Sequence, residues 1–160
     1  MTDIKDPENT LILETTQGRV VIEMRPDLAP NHVARIKQLA REKFYDGIVF
    51  HRVIEGFMAQ TGCPNGTGTG GSGQKLAAEF NAEPHVRGTT SMARAASPNS
   101  ADSQFFICFD DSSFLDRQYT VWGKVIEGME NIDKIKRGEP VSDPDKIVSL
   151  RLAAEVGSTG

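Results

Sequence analysis

The sequence predicts a mainly β fold, a closed or nearly closed antiparallel barrel capped by helices. Three observations carry that prediction. About eight short runs rich in β-branched and aromatic residues recur along the chain, two segments have helical spacing, and strands and helices do not alternate as a parallel sheet requires. The first two runs, Thr10 to Glu14 and Arg19 to Met24, flank the turn-forming Thr15-Thr16-Gln17-Gly18 and should pair as a hairpin. Pro26-Asp27-Leu28-Ala29-Pro30 ends the second strand, and Pro30 suits the first turn of a helix, where a missing N–H costs nothing. Val33, Ile36, Leu39 and Ala40 share one face of that helix, which should stop near Lys43, before Phe44-Tyr45-Asp46-Gly47.

Strands are expected next at about Val49 to Ile54 and Phe57 to Gln60, followed by a loop over the glycine-dense Gly62 to Gly73. Further strands fall near Thr90 to Ala93, Gln104 to Phe109, Thr120 to Val125 and Lys146 to Ala153. Between the last two, Gly128 to Gly138 has apolar spacing at Met129, Ile132 and Ile135, basic residues in its last turn and a glycine stop, which predicts a second short helix. Phe44, Phe80, Phe105, Ile107 and Trp122 are expected to fill the barrel, leaving no room for a small-molecule cargo.

With 160 residues and no internal repeat or linker, the chain reads as a single domain with its core over about residues 10–153 and short flexible termini. A net charge of -4 without a basic stripe argues against nucleic acid and anionic membranes as partners. Apolar runs are too short to span a bilayer, and Met1-Thr2-Asp3-Ile4-Lys5-Asp6-Pro7-Glu8 lacks the apolar core of a secretory signal. Cys63 and Cys108 form no disulfide framework, so a reducing cytoplasm is the simplest setting, and a monomer is the default.

Few motifs point to group-transfer chemistry. Gly66-Thr67-Gly68-Thr69-Gly70-Gly71 fits a dinucleotide fingerprint only in its glycines, because Cys63-Pro64-Asn65 precedes it where a strand should end. His32, His51 and His85 are scattered without metal-ligand spacing, and Ser91 has no nucleophile elbow around it. No metal or cofactor is expected. One oddity remains. Phe50-His51-Arg52-Val53-Ile54-Glu55-Gly56-Phe57-Met58-Ala59-Gln60-Thr61-Gly62 reads mostly as strand, yet carries an arginine and a glutamine among apolar residues. Burying a guanidinium is costly without partners, so Arg52 is either a strand-edge residue with its head in water or part of a polar site. Ser103-Gln104-Phe105-Phe106-Ile107-Cys108-Phe109 has the same character, and together the two segments suggest an apolar pocket with a few fixed polar groups.

The first of these segments closely resembles the signature of the cyclophilins, peptidyl-prolyl cis-trans isomerases. Ser91-Met92-Ala93-Arg94-Ala95 followed by Pro98-Asn99-Ser100-Ala101-Asp102-Ser103-Gln104-Phe105-Phe106-Ile107 is similar to that family's second signature, and Phe114-Leu115-Asp116 and Val121-Trp122-Gly123-Lys124-Val125 continue the likeness in order. The resemblance runs from about Thr10 to Leu152. It implies a closed eight-stranded antiparallel barrel with two helices, and a function in assisting protein folding by rotating X–Pro bonds without a covalent intermediate. It also implies roles: Arg52 as the catalytic arginine and Gln60 as the group that binds substrate backbone and steadies it. Phe57, Met58, Phe106 and Leu115 would wall the proline pocket, while Ala93, Arg94 and Gln104 would hold the residues preceding proline. Arg94 stands where many relatives have asparagine, which would change preference around the proline. Phe114 and Tyr119 stand where well-studied eukaryotic members have tryptophan and histidine, as in bacterial-type cyclophilins. The partners implied are proline-containing peptides and proteins, with reduced affinity for the cyclic peptide cyclosporin because an indole N–H is lost. Two other functions compete with this one: a proline-peptide binding module with little turnover, against which Arg52 and Gln60 argue, and a lipocalin-like carrier, against which the filled barrel argues.

Overall fold

The computed structural model describes residues 6–64, 66, 71–94, 97, 99–138 and 141–156. Met1 to Lys5, Asn65 and Thr67 to Gly70 of the glycine-dense loop, Ala95 and Pro98 of the second signature segment, and the terminal residues 157–160 lie outside the described residues. Strands β1 (Thr10–Thr15) and β2 (Gly18–Met24) form the predicted hairpin, in register from Thr10↔Glu23 to Thr15↔Gly18. Gly18 is required there: its φ is 130°, and a Cβ would stand 2.8 Å from the Asn131 side chain. Strands β3 (Arg52–Ile54), β4 (Met58–Thr61), β5 (Thr89–Met92), β6 (Phe105–Cys108), β7 (Val121–Glu127) and β8 (Ile147–Leu152) complete one antiparallel sheet in the order β3-β4-β6-β5-β7-β2-β1-β8.

Three α-helices occur among the described residues where two were predicted: α1 (Pro30–Arg41), α2 (Met129–Ile132) and α3 (Ala153–Val156). Helix α1 buries the predicted face, with His32 added to Val33, Ile36, Leu39 and Ala40. Its own sequence supplies no capping side chain. Glu79 does so from a distant loop, accepting from the backbone N–H of Asn31 at 3.2 Å and of His32 at 2.9 Å. Helix α2 is shorter than its pattern because Arg137 folds back and Nη1 donates to the carbonyls of Asp133 and Ile135 at 2.7 and 2.6 Å, ending the helix with a side chain. Helix α3 replaces the expected end of the last strand. Its Glu155 meets Arg41 at 2.7 Å, beside the end of α1.

Closure of the barrel is the second correction. The sheet is an open half-barrel: among the described residues its end strands β3 and β8 share no ladder, and isolated bridges Val49↔Lys146 and Val53↔Gly138 span the gap. The segment between α2 and β8 crosses the opening and takes up edge groups itself. Phe50 N–H donates to the Asp145 carbonyl at 2.9 Å, and Val53 and Gly138 exchange two bonds of 2.8 Å. The strand expected from Val49 therefore begins only at Arg52.

The concave side of the sheet and α1 enclose the main core, which includes Leu11, Ile22, Ile36, Phe50, Phe105, Ile107 and Trp122. Phe105 makes edge-to-face contacts with Tyr45 and Trp122 at 5.6 and 5.4 Å. Phe44 packs on this core, but Phe80 does not fill it: the loop carrying Phe80 runs outside the sheet and leaves the ring 41% exposed.

Candidate active site

Successive residues of a strand face opposite sides of its sheet. On β3, β4 and β6 this sends Val53, Ala59, Phe105 and Ile107 into the core, and Arg52, Met58, Gln60, Phe106 and Cys108 to the other face. Register then gathers them, pairing Arg52 with Gln60 across β3 and β4, and Gln60 with Phe106 and Met58 with Cys108 across β4 and β6. Phe57 in the β3–β4 turn, Leu115 in the 3-10 turn Ser113–Leu115, Tyr119 just before β7, and Ala93 and Arg94 after β5 complete the ring. Together they line a cavity of about 100 Å³, several times the roughly 10–15 Å³ that admits one water.

One side of this cavity is polar. Arg52 Nη1 donates to Gln60 Oε1 at 3.2 Å, and Gln60 Nε2 donates to Gln104 Oε1 at 3.0 Å. A guanidinium has only donors, so the Gln60 amide oxygen must face it and the amide nitrogen must face Gln104. Gly62 brings Gln104 this close. With φ at 96°, its missing Cβ would lie 2.9 Å from the Gln104 Cα, and its carbonyl accepts from Ser103 Oγ at 2.7 Å.

The other side is apolar. Met58, Phe106, Cys108 and Leu115 form a buried cluster, with Ile54, Phe57, Ala93 and Tyr119 packed around it. Burial pushes the Cys108 thiol up to about 12, so it serves as the small buried hydrophobe expected of it. The Phe106 ring meets the Tyr119 ring edge-on at 5.8 Å. All predicted site residues except Gln104 and Phe114 line the cavity; Gln104 stands behind Gln60, and Phe114 sits on the rim, 65% exposed and 5.4 Å from the Phe57 ring.

A buried polar chain behind Phe106 was not foreseen. His85 stacks on the Phe106 ring at 6.1 Å. Its Nδ1 lies 3.0 Å from Asp116 Oδ1, and its Nε2 lies 3.0 Å from Ser91 Oγ. Burial pushes the His85 pKa down and outweighs the pull of Asp116, while the backbone N–H of His85 chiefly holds Asp116 below the usual carboxylate range. Nδ1 faces the acceptor-only carboxylate, and Ser91 Oγ donates onward to the Thr120 carbonyl at 3.0 Å. The array has the members of a hydrolytic triad, but Ser91 and His85 are 0% and 1% exposed and no substrate can reach them. It is a brace for the aromatic wall. No spacing rule joins a loop histidine to a strand serine six residues on, and Ser91 sits among other hydroxyl residues in Thr89–Met92, so the sequence carries no signal for the polar chain.

An apolar, ring-sized cavity beside a fixed cationic donor, on an eight-stranded half-barrel, defines a class of site that holds an apolar ring and offers hydrogen bonds to the chain beside it. Residues 10–152 match the family model for cyclophilin type peptidyl-prolyl cis-trans isomerases. A probable peptidyl-prolyl cis-trans isomerase of Brucella suis is 54% identical over 94% of this chain and 85% of its own length. A peptidyl-prolyl cis-trans isomerase of Synechococcus elongatus is 42% identical over 90% and 96%. The crystal structure of a cyclophilin from Hirschia baltica superposes with a TM-score of 0.88 at 34% identity, covering 96% of this chain and 77% of that one. A Cryptosporidium parvum cyclophilin, solved in the presence of the dipeptide Ala-Pro, gives 0.83 at 28% identity, covering 89% and 98%. The chain belongs to the cyclophilin-type peptidyl-prolyl cis-trans isomerase family and is an isomerase.

Proposed function

We propose that the chain rotates X–Pro bonds of folding and folded proteins at the Arg52 cavity, with the proline ring against Phe57, Met58, Phe106 and Leu115. The single supporting observation is the Arg52–Gln60–Gln104 chain of hydrogen bonds at the edge of an apolar cavity. Rotation breaks no covalent bond but costs amide resonance, a barrier of about 18–20 kcal/mol. In the twisted amide the nitrogen lone pair is localised and becomes a better acceptor. A donor aimed at the imide therefore binds the transition state more strongly than either ground state, which is the requirement for catalysis. Arginine supplies that donor with no proton transfer.

The arithmetic limits what Arg52 does alone. A charge-assisted hydrogen bond contributes about 1.5–3 kcal/mol, which is about one to two powers of ten in rate. Any further acceleration comes from the wall, which holds the ring while the preceding carbonyl swings and keeps water from the amide. The Gln60 amide, already oriented by two partners, meets substrate backbone at little entropic cost. Phe114 offers the rim an aromatic surface but no N–H, which supports weakened cyclosporin binding. Exchange spectroscopy on a proline peptide tests the site: catalysed cis-trans exchange is expected with the wild-type chain. Unchanged exchange with Arg52→Ala would remove this cavity from the mechanism.

A further inference from the structure

The outer wall of the cavity carries a second cation. Arg94 follows β5 and lines the same space as Arg52, and these two arginines are the charged side chains among the described lining residues. Its guanidinium lies 4.6 Å from the Tyr119 ring centroid and 5.9 Å from that of Phe80. Arg94 Nε and Nη2 donate to the Gln118 carbonyl at 3.1 and 2.8 Å. A long side chain is thus laid flat on an aromatic shelf by one carbonyl and one ring. Its orientation is set before any peptide arrives, so little rotamer freedom is lost on binding. The shelf adjoins the proline wall directly, because Tyr119 also touches Phe106.

The electrostatics are local. The whole chain carries a net charge of -4, which at physiological salt is screened beyond about 8 Å. A peptide residue beside the bound proline meets the arginines first. From this geometry we infer that Arg94 makes the enzyme selective for prolines flanked by an anionic oxygen group, either the carboxylate of an acidic residue or the phosphate of a phosphorylated serine or threonine. The inference rests on the proline occupying the Arg52 cavity. Arg94 touches the neighbour of the reacting bond and leaves the rotation itself to Arg52. Arginine suits both anions, since a guanidinium is permanently charged and carries five N–H donors, of which Nε–H and one on Nη2 go to the Gln118 carbonyl.

The test compares kcat/KM for matched peptides differing at the residue before or after proline: Glu against Gln, and phosphoserine against Ser. Wild-type chain should favour the anionic member by about threefold to tenfold, as expected of a partly exposed charge-assisted contact. The preference should shrink as salt rises, persist in Arg94→Lys and vanish in Arg94→Asn. A response in the Glu arm, the phosphoserine arm or both identifies the source of the anion. A ratio near one in the wild-type chain, or one unaltered in Arg94→Asn, overturns the inference and leaves Arg94 as a brace for Gln118 and Tyr119. Arg52→Ala, assayed on the neutral Gln peptide, separates the two failures: full activity there overturns the site itself.

Discussion

Phe105 and Phe106 are neighbours in one strand with opposite roles. Phe105 points into the main core between Tyr45 and Trp122, and Phe106 points outward into a small cluster between His85 and Tyr119. The inner face of β3, β4 and β6 sends Val53, Ala59, Phe105 and Ile107 into the main apolar core. The outer face stops at a cavity edged with amides and arginines. One sheet thus separates two tasks by a period of two residues: what lies inside sets stability, and what lies outside sets chemistry.

The largest expected contrast comes from truncating each ring. Phe105→Ala should destabilise the chain by about 3–5 kcal/mol, the usual cost of emptying an aromatic site in a close-packed core. Phe106→Ala should cost only about 1.5–3 kcal/mol, because its wall borders a cavity that water can enter, while abolishing most turnover. Urea midpoints and exchange rates measured on both variants check this, and equal stability losses would break the division of labour. Next in size, Arg52→Ala should lower kcat/KM tenfold or more, about 1.5–3 kcal/mol of lost transition-state binding. Its melting temperature should stay close to that of the wild-type chain; a large drop would make Arg52 structural. Gln60→Leu keeps the shape but removes both links of the amide chain, and a loss of a few-fold in kcat/KM is expected for about 0.5–1.5 kcal/mol of hydrogen bonding. An undiminished rate would show that Arg52 needs no steadying.

The smallest effect is titration. Burial is the first cause that lowers the pKa of His32, His51 and His85, on both faces of the sheet. Their folded pKa values lie below the unfolded value of about 6.5. The unfolded chain therefore binds more protons in the window below that pH, so the stability is fully present above it and declines as pH falls through the folded values. Urea midpoints should fall from pH 7.5 to pH 5, and the slope should flatten when His85 is replaced by Gln. A midpoint that rises on acidification would mean these rings are charged in the folded chain.

Local chemistry was legible in the sequence where it was self-contained. The hairpin at Thr15 to Gly18 and the buried face of α1 follow from turn residues and a helical period, and Arg52 and Gln60 stood out as polar groups in apolar strands. Features that depend on distant partners were not legible. Closure failed at β3 because residues 138 and 145 cross the gap, and nothing in Val49 to Ile54 announces that. Glu79 caps α1 from 48 positions away, and no local capping residue hinted at it. Phe80 looked like core by its side chain alone, yet its loop holds it outside beside Arg94. His85 becomes meaningful only once the sheet lays Ser91 and Phe106 side by side.

The order of the sheet also carries a consequence in time. Strand β1 lies between β2 and β8, so Leu11 pairs with Leu152, which is made long after it. A ribosome-bound chain can form the β1–β2 hairpin early, but one edge of β1 stays bare until the last strand has emerged. Pairings this remote in sequence must overcome a long loop closure before any bond rewards it, and chains dominated by them fold slowly for their size.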